Sequence, residues 1–281
     1  MTQLILQGAQ LTLADAEAIA QQAAGSLSWI DDKIAEIKLD KTLALDLLSG
    51  WRQACNFDLN MLPVDFQPAQ TRLLVMDMDS TLINIECVDE IADFLDLKPA
   101  VSAITASAMR GEIDFETSLR KRVGLLKGLS VSALEQVYEQ RLQLNPGAEI
   151  MLAGLKKQGI KTALVSGGFT FFTERLQQRL GLDYCQANVL GEENGRLTGE
   201  IVGEICGAQA KADFLLARCA DLTISPSQTI AMGDGANDLL MMREAGLSIA
   251  YHAKPAVQAE AATALNYCGL EGVLGLLQIT V

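Results

Sequence analysis

The sequence predicts an α/β protein. Its main part is a doubly wound parallel sheet with a helical segment inserted after the first strand, and a small α+β module precedes it. Three observations predict this. The runs Arg72-Leu-Leu-Val-Met76, Thr162-Ala-Leu-Val165 and Thr229-Ile-Ala-Met232 are short and continuously apolar, as suits parallel strands covered on both faces. Helical stretches alternate with them. Residues 88–146, soon after the first run, read as helical with few strand-like segments.

Taken in order, Leu4–Gly8 is strand-like and Ala14–Ala24 is Ala-rich and helix-prone. Ser28–Leu39 is expected to hold a second strand. Thr42–Met61 carries Leu43, Leu45, Leu47, Leu48 and Trp51 close to a helical stripe. Pro63–Thr71 is a polar linker bearing two prolines. The division expected is a module over 1–70, a core over 71–87 and 147–281, and a helical cap over 88–146. After Asn145-Pro-Gly147 a helix over 148–158 should stop at Gly159 and lead into strand 162–165. The loop Ser166-Gly-Gly168 and a helix through Leu180 follow. Asn194-Gly195 marks a hairpin turn within 183–204. A helix near 208–220, the strand at 229–232, the loop Gly233-Asp-Gly-Ala-Asn-Asp238, a helix through Ala245 and a short strand Ser248–Ala250 complete the pattern.

Bulk properties exclude several functions. With 281 residues the chain can bury a sizeable core in more than one domain. A net charge of −13 repels nucleic-acid backbones and anionic membranes, so neither is an expected partner. The single histidine, His252, cannot supply a multi-histidine zinc site. Six cysteines without a CxxC pair argue against a thiolate metal site and fit a reducing compartment. No signal peptide and no apolar run of membrane-spanning length is visible, so a soluble cytoplasmic protein is expected.

Chemistry concentrates at three strand ends, where ligands bind in such sheets. These are Asp77/Asp79, Ser166/Gly167/Gly168 and Asp234/Asn237/Asp238, with Lys211 opening a helix between the last two. Several carboxylates at one edge need a cation, and hard oxygen ligands with room for water favour Mg²⁺ over Ca²⁺. The glycines let backbone N–H groups approach an anion, and Ser166 adds a hydroxyl. A carboxylate-held cation beside an anion cradle and a lysine indicates phosphoryl transfer. Two positions apart, Asp77 and Asp79 can face one pocket, one as nucleophile and the other as acid and base.

Asp77-Met-Asp-Ser-Thr81, Ser166-Gly-Gly168, Lys211 and Gly233-Asp-Gly-Ala-Asn-Asp238 occur in the order of the haloacid dehalogenase superfamily motifs, and residues 72–270 resemble that superfamily. Glu86-Cys-Val-Asp-Glu90, Met109-Arg-Gly-Glu-Ile-Asp-Phe115, Ser118-Leu-Arg-Lys-Arg-Val123 and Val165-Ser-Gly-Gly-Phe-Thr-Phe-Phe172 look like its branch acting on O-phosphoserine. The resemblance implies a Rossmann-like core with a helical cap, and loosely an ACT-like leader over 1–70. It implies an Mg²⁺-dependent hydrolysis of O-phosphoserine at the last step of serine biosynthesis. Asp77 would attack phosphorus, and Asp79 would protonate the leaving oxygen and then activate water. Asp77, the Asp79 carbonyl and Asp234 would hold Mg²⁺. Ser166, Gly167 and Lys211 would hold phosphoryl oxygens, Asn237 would contact phosphate or substrate, and Asp238 would orient Lys211 or a metal-bound water. Glu86 would take the substrate ammonium and Arg122 its carboxylate, while Met109 and Phe115 would close over it. A relative acting on another phosphomonoester, a phosphotransferase and a non-catalytic phospho-acceptor are the competing functions. Binding a regulator, mediating a homodimer, or neither, stay open for residues 1–70.

Overall fold

The structure, a computed structural model, describes residues 2–41, 43–94, 97–110 and 112–280, and the side chains of Leu45 and Met109 lie outside what it describes. The N-terminal module runs β1 (Thr2–Gln7), α1 (Leu13–Ala23), β2 (Ser26–Trp29), β3 (Ile34–Leu39), α2 (Leu45–Ala54) and β4 (Asp58–Met61). Its antiparallel sheet has the order β2-β3-β1-β4, the βαββαβ arrangement of ferredoxin-like modules. Thr12 opens α1 with a reciprocal capping box to Asp15.

Two expectations for this module are corrected. Ser28–Leu39 is not one strand: it spans the end of β2, a turn and β3, because Asp31, Asp32 and Lys33 break the apolar run. The Thr42–Met61 stripe is helical only to Ala54, and its last residues pair with β1 as β4. There tertiary pairing outweighs the helical spacing.

The main sheet contains β5 (Leu73–Met76), β6 (Lys161–Phe169), β7 (Tyr184–Glu193), β8 (Arg196–Val202), β9 (Thr229–Gly233), β10 (Leu247–Tyr251) and β11 (Thr263–Leu265). Its order is β11-β10-β9-β5-β6-β7-β8, parallel except for the β7–β8 hairpin. Asn194 (φ 51°) and Gly195 (φ 74°) form that hairpin's turn, whose left-handed conformation these two residue types accept. The sequence pattern had no sign of β11. It has only three residues, too few for periodicity to register.

Successive residues of each central strand feed opposite cores. From β5, Leu74 and Met76 enter one core, while Leu73 and Val75 enter the other. The first core is completed by α3 (Cys87–Asp93), α5 (Phe115–Gly124), α6 (Val131–Gln140), α7 (Ala148–Lys157) and α8 (Thr170–Leu180), and α4 (Lys98–Met109) packs on α3 and α5. Helices α3 to α6 form the insertion after β5 and cover the C-terminal ends of the strands. The loop after α5 is tied to the hairpin by Gly128 N–H to Leu197 O and Leu197 N–H to Leu129 O, both 2.8 Å. The second core is covered by α9 (Ala208–Leu222), α10 (Leu239–Glu244) and α11 (Pro255–Glu260).

The module is docked on this body. Leu4 and Leu6 of β1 build the module's own core, whereas Ile5 between them packs into the first large core, which α12 (Gly272–Leu276) also lines. Asn60 of β4 donates to Ala264 O (2.8 Å) and accepts from Ala264 N–H (2.9 Å), satisfying the outer edge of β11. Asp58 accepts the N–H groups of Asn266, Tyr267 and Cys268 at 2.7–3.2 Å. Among the described residues no helix is long and apolar enough to cross a membrane.

Candidate active site

The site lies beyond the C-terminal ends of β5, β6, β9 and β10, under α3, α4 and α5. A cavity of about 640 Å³ opens there, lined by Asp77, Asp79, Glu86, Arg122, Ser166, Gly167, Gly168, Asp234 and Asn237 among others. Ten of the thirteen residues singled out from the sequence therefore line one cavity, Phe115 among them. Lys211 and Asp238 sit behind its wall, fully buried. Met109 ends α4, and its side chain lies outside the described residues.

Asp77 follows β5 directly. Its backbone N–H donates to Met232 O of β9 at 3.0 Å, so the loop continues the sheet's pairing before it turns. The Asp77 side chain is buried, and its Oδ1 accepts from Met78 N–H at 2.7 Å and faces Lys211 Nζ at 2.8 Å. Both contacts fall on Oδ1, and no described residue hydrogen-bonds Oδ2. Burial, then the Asp238 charge, push its pKa well above the usual carboxylate range, against the pull of Lys211.

The next turn aims Asp79. Ile83 N–H reaches back five residues to Met78 O (3.0 Å), and Ser80 takes a left-handed conformation (φ 56°) unusual for a residue with a side chain. Ser80 is held in it by its N–H to Ile85 O (3.2 Å) and its Oγ to Glu86 Oε1 (2.7 Å). Asp79 Oδ1 accepts from Cys87 N–H at the start of α3 (3.0 Å), and Oδ2 from Ser166 Oγ at 3.4 Å. Burial and the neighbouring Glu86 raise its pKa to about 7.

Lys211 Nζ bridges Asp77 and Asp238 at 2.8 and 2.7 Å. Burial opposes its charge, but Asp238 and Asp77 more than offset this and keep its pKa above that of an ordinary lysine. Asp238 Oδ2 also accepts from Gly235 N–H at 3.1 Å, which ties the β9 loop to the lysine. Asp234 accepts from Thr81 Oγ1 at 3.2 Å, and burial with Asp238 raises its pKa to about 6. Oxygens of Asp77, Asp234 and Asp238 lie within 4.8 Å of one another. One lysine does not balance three clustered carboxylates, and hard oxygen donors fit a divalent cation. The Asp79 carboxylate stands apart from this trio, turned toward Cys87 and Ser166.

Ser166–Gly168, expected as a loop, instead lies inside β6, where the pairing with β7 shifts register between Val165 and Phe169, and this stretch is built for close approach. Ser166 is fully buried, and its Oγ accepts from Gly168 N–H at 2.8 Å. A Cβ on Gly168 would stand 2.7 Å from Asp79 Oδ2, and one on Gly167 would stand 3.1 Å from Phe115 Cζ. Phe115, at the start of α5, thus lies across this stretch.

The cap wall carries both signs of charge. Arg122 of α5 has a buried Nε with no partner, and burial lowers its pKa against the pull of Asp89 and Glu86. Glu86 is exposed at the start of α3 and does not pair with Arg122.

Three residues escaped the sequence pattern. Buried Asn188 of β7 donates to Gly167 O and accepts from Cys206 N–H, both at 2.8 Å, fixing the Gly167 peptide. Nothing in the local sequence signals it. Asp89 lines the cavity with a buried, unpartnered Oδ1, and its place one turn beyond Glu86 was the available clue. Lys254 lines the cavity from the loop after β10, where its position past the last recognised strand was legible.

A family model described as haloacid dehalogenase-like hydrolase matches residues 71–246. Over 225 residues the chain is 54% identical to a phosphoserine phosphatase from Polaromonas sp. (strain JS666), covering 78% of this chain and 95% of that one. A crystal structure of a hydrolase of the same family from Salmonella enterica serovar Typhi superposes with a TM-score of 0.90 at 33% identity, covering 99% of both chains. A phospho-aspartyl intermediate analogue of a phosphoserine phosphatase superposes with a TM-score of 0.69 at 40% identity, covering 73% of this chain and 98% of that chain.

Proposed function

The chain belongs to the haloacid dehalogenase-like hydrolases, and from that premise we propose that it is a phosphoserine phosphatase, releasing serine and phosphate from O-phosphoserine in serine biosynthesis. The observation that carries the mechanism is the Asp77 carboxylate. Oδ1 is occupied by Met78 N–H and Lys211, and Oδ2 of this cavity-lining residue takes no hydrogen bond from any described residue. Oδ2 attacks phosphorus, the bond to the seryl oxygen breaks, and an aspartyl-phosphate forms. Asp79, with a pKa near 7, gives its proton to the departing oxygen. It then takes a proton from the water that attacks the intermediate, releasing phosphate and restoring Asp77.

Ser166 Oγ and the Gly167 N–H bind phosphoryl oxygens, and Asn237 contacts the phosphate. Lys211 uses two of its three N–H donors on Asp77 and Asp238, which leaves one for the phosphate. Asp77, Asp234 and the Asp79 carbonyl would hold Mg²⁺, and Asp238 keeps Lys211 in place. When bound, the ion neutralises charge on the transferring phosphoryl group. Arg122 meets the substrate carboxylate and Glu86 its ammonium, a match for an amino acid rather than a sugar. Met109 and Phe115 close the cap over the cleft, which is taken as residues 88–146 on a core of 71–87 and 147–281. A cytoplasmic location agrees with six free cysteines.

Phosphate release from a panel of phosphomonoesters, with Mg²⁺ and with EDTA, tests the activity. Preference for O-phosphoserine that disappears in EDTA is expected. A stably phosphorylated protein that releases no phosphate under Mg²⁺ would instead establish a phospho-acceptor.

A further inference from the structure

Lys254 has no part in the scheme above, yet it lines the same cavity as Asp234, Gly235, Ala236 and Asn237. Its backbone is fixed from several sides. Pro255 restricts it to an extended conformation (φ −61°, ψ 150°). Two residues earlier His252 takes a left-handed conformation (φ 43°), held by its N–H to Leu265 O (2.8 Å) and its Nε2 near Cys268 O (3.2 Å). Gln258 Nε2 anchors Ala253 O at 2.7 Å. The anchored loop carries an exposed side chain that makes no ion pair or hydrogen bond with any described residue.

The charge around it is unbalanced. The cavity wall presents the carboxylates of Asp77, Asp79, Glu86, Asp89 and Asp234, and only Arg122 and Lys254 as cations. Lys211 is enclosed, and its charge is already shared with two carboxylates, which leaves it a single fixed donor for the phosphate. Arg122 stands on the cap wall. Lys254 comes from the loop after β10, the neighbour of β9, whose own loop carries Asp234 and Asn237, the end of the cleft where the scheme above puts the phosphate. A phosphomonoester dianion entering this acidic cleft, or free phosphate leaving it, meets one mobile ammonium at that end.

We infer that Lys254 is a phosphate-binding residue of the cleft mouth, receiving the substrate phosphate on entry and the product phosphate on release. The inference rests on the phosphatase activity proposed above. It differs from the roles of Ser166, Gly167 and Lys211 because a long exposed side chain can follow the anion, whereas those groups are fixed.

The test uses the Mg²⁺-loaded full chain with Lys254→Met and Lys254→Arg. Lys254→Met should raise KM for O-phosphoserine and for phosphoethanolamine by a similar factor, about tenfold, and weaken inhibition by inorganic phosphate about as much. Its kcat/KM should also depend less on salt than that of the unsubstituted protein. Lys254→Arg should restore most of each loss. Unchanged phosphate inhibition in Lys254→Met overturns the assignment, as does a loss confined to kcat. Calorimetric titration with inorganic phosphate separates the two claims. It reads the Lys254 contribution whichever phosphomonoester is the substrate, whereas failure to hydrolyse O-phosphoserine counts against the activity alone.

Discussion

Lys211 Nζ lies 2.8 Å from Asp77 Oδ1, and both side chains are almost completely shut off from solvent. Lys211 thus favours the ionised form of Asp77, the proposed nucleophile, against burial and the Asp238 charge, and Oδ2 takes no hydrogen bond from any described residue. Lys211→Met would leave Asp77 and Asp238 buried with no counter-charge. Breaking one side of such a pair costs about 3–5 kcal/mol. The expected result is a lower melting temperature together with loss of turnover, measured by thermal unfolding and phosphate release. Asp77→Asn removes the nucleophile but keeps the shape, so turnover should vanish while the melting temperature holds; near-normal turnover would rule out the aspartyl-phosphate route.

The carboxylate cluster gives the metal-free protein an inverted pH response. Asp79 and Asp234 have pKa values raised to about 7 and about 6 in the fold, above those of an unfolded chain. Between about pH 4 and 7 the folded state therefore binds more protons than the unfolded one, and stability falls as pH rises. In EDTA the melting temperature should be higher at pH 5 than at pH 8. Mg²⁺ should raise it more at pH 8, where the carboxylates are ionised. A melting temperature in EDTA that climbs from pH 5 to pH 8 would contradict this picture.

Among the described residues Arg122 is the only cation on the cap wall of the cleft, and its buried Nε has no partner. Arg122→Ala should raise KM for O-phosphoserine about a hundredfold, since a charge-assisted pair with a carboxylate is lost. Phosphoethanolamine has no carboxylate, and its KM should change by less than about threefold. Equal effects on both would remove Arg122 from carboxylate recognition.

Legibility in the sequence followed the range of the interactions. Asp77, Ser166 and Asp234 were readable because each closely follows a continuously apolar run, and the ends of parallel strands converge on one edge. The split of Ser28–Leu39 into β2 and β3, and the pairing of Asp58–Met61 with β1, were not, since both depend on partners far along the chain. Asn188 shows the same limit at the site. Its work is to hold a carbonyl 21 residues away, and no local pattern encodes that. The contact of Lys211 with Asp238 was implied only by the resemblance and that with Asp77 not at all, because a lysine enclosed between two carboxylates and one exposed on a helix look alike in sequence.

Gly168 links the two catalytic segments through the space it leaves. A methyl group there would stand 2.7 Å from Asp79 Oδ2, 2.9 Å from Met78 Cε and 3.0 Å from Ser166 Oγ. The Met78 side chain can shift, but Asp79 is tied by Cys87 N–H and Ser166 by the Gly168 N–H itself. Gly168→Ala should therefore displace the Asp79 carboxylate, the proposed proton donor, and lower kcat about 10- to 100-fold, part of the roughly 10²- to 10⁴-fold that a positioned acid or base contributes. Gly50, inside α2 with nothing within 4 Å of an added methyl group, is the control. Gly50→Ala should leave kcat unchanged and stabilise the module by about 0.5–1 kcal/mol through the better helix propensity of alanine. If both substitutions leave kcat alike, the close packing of Gly168 against Asp79 does not set the acid's position.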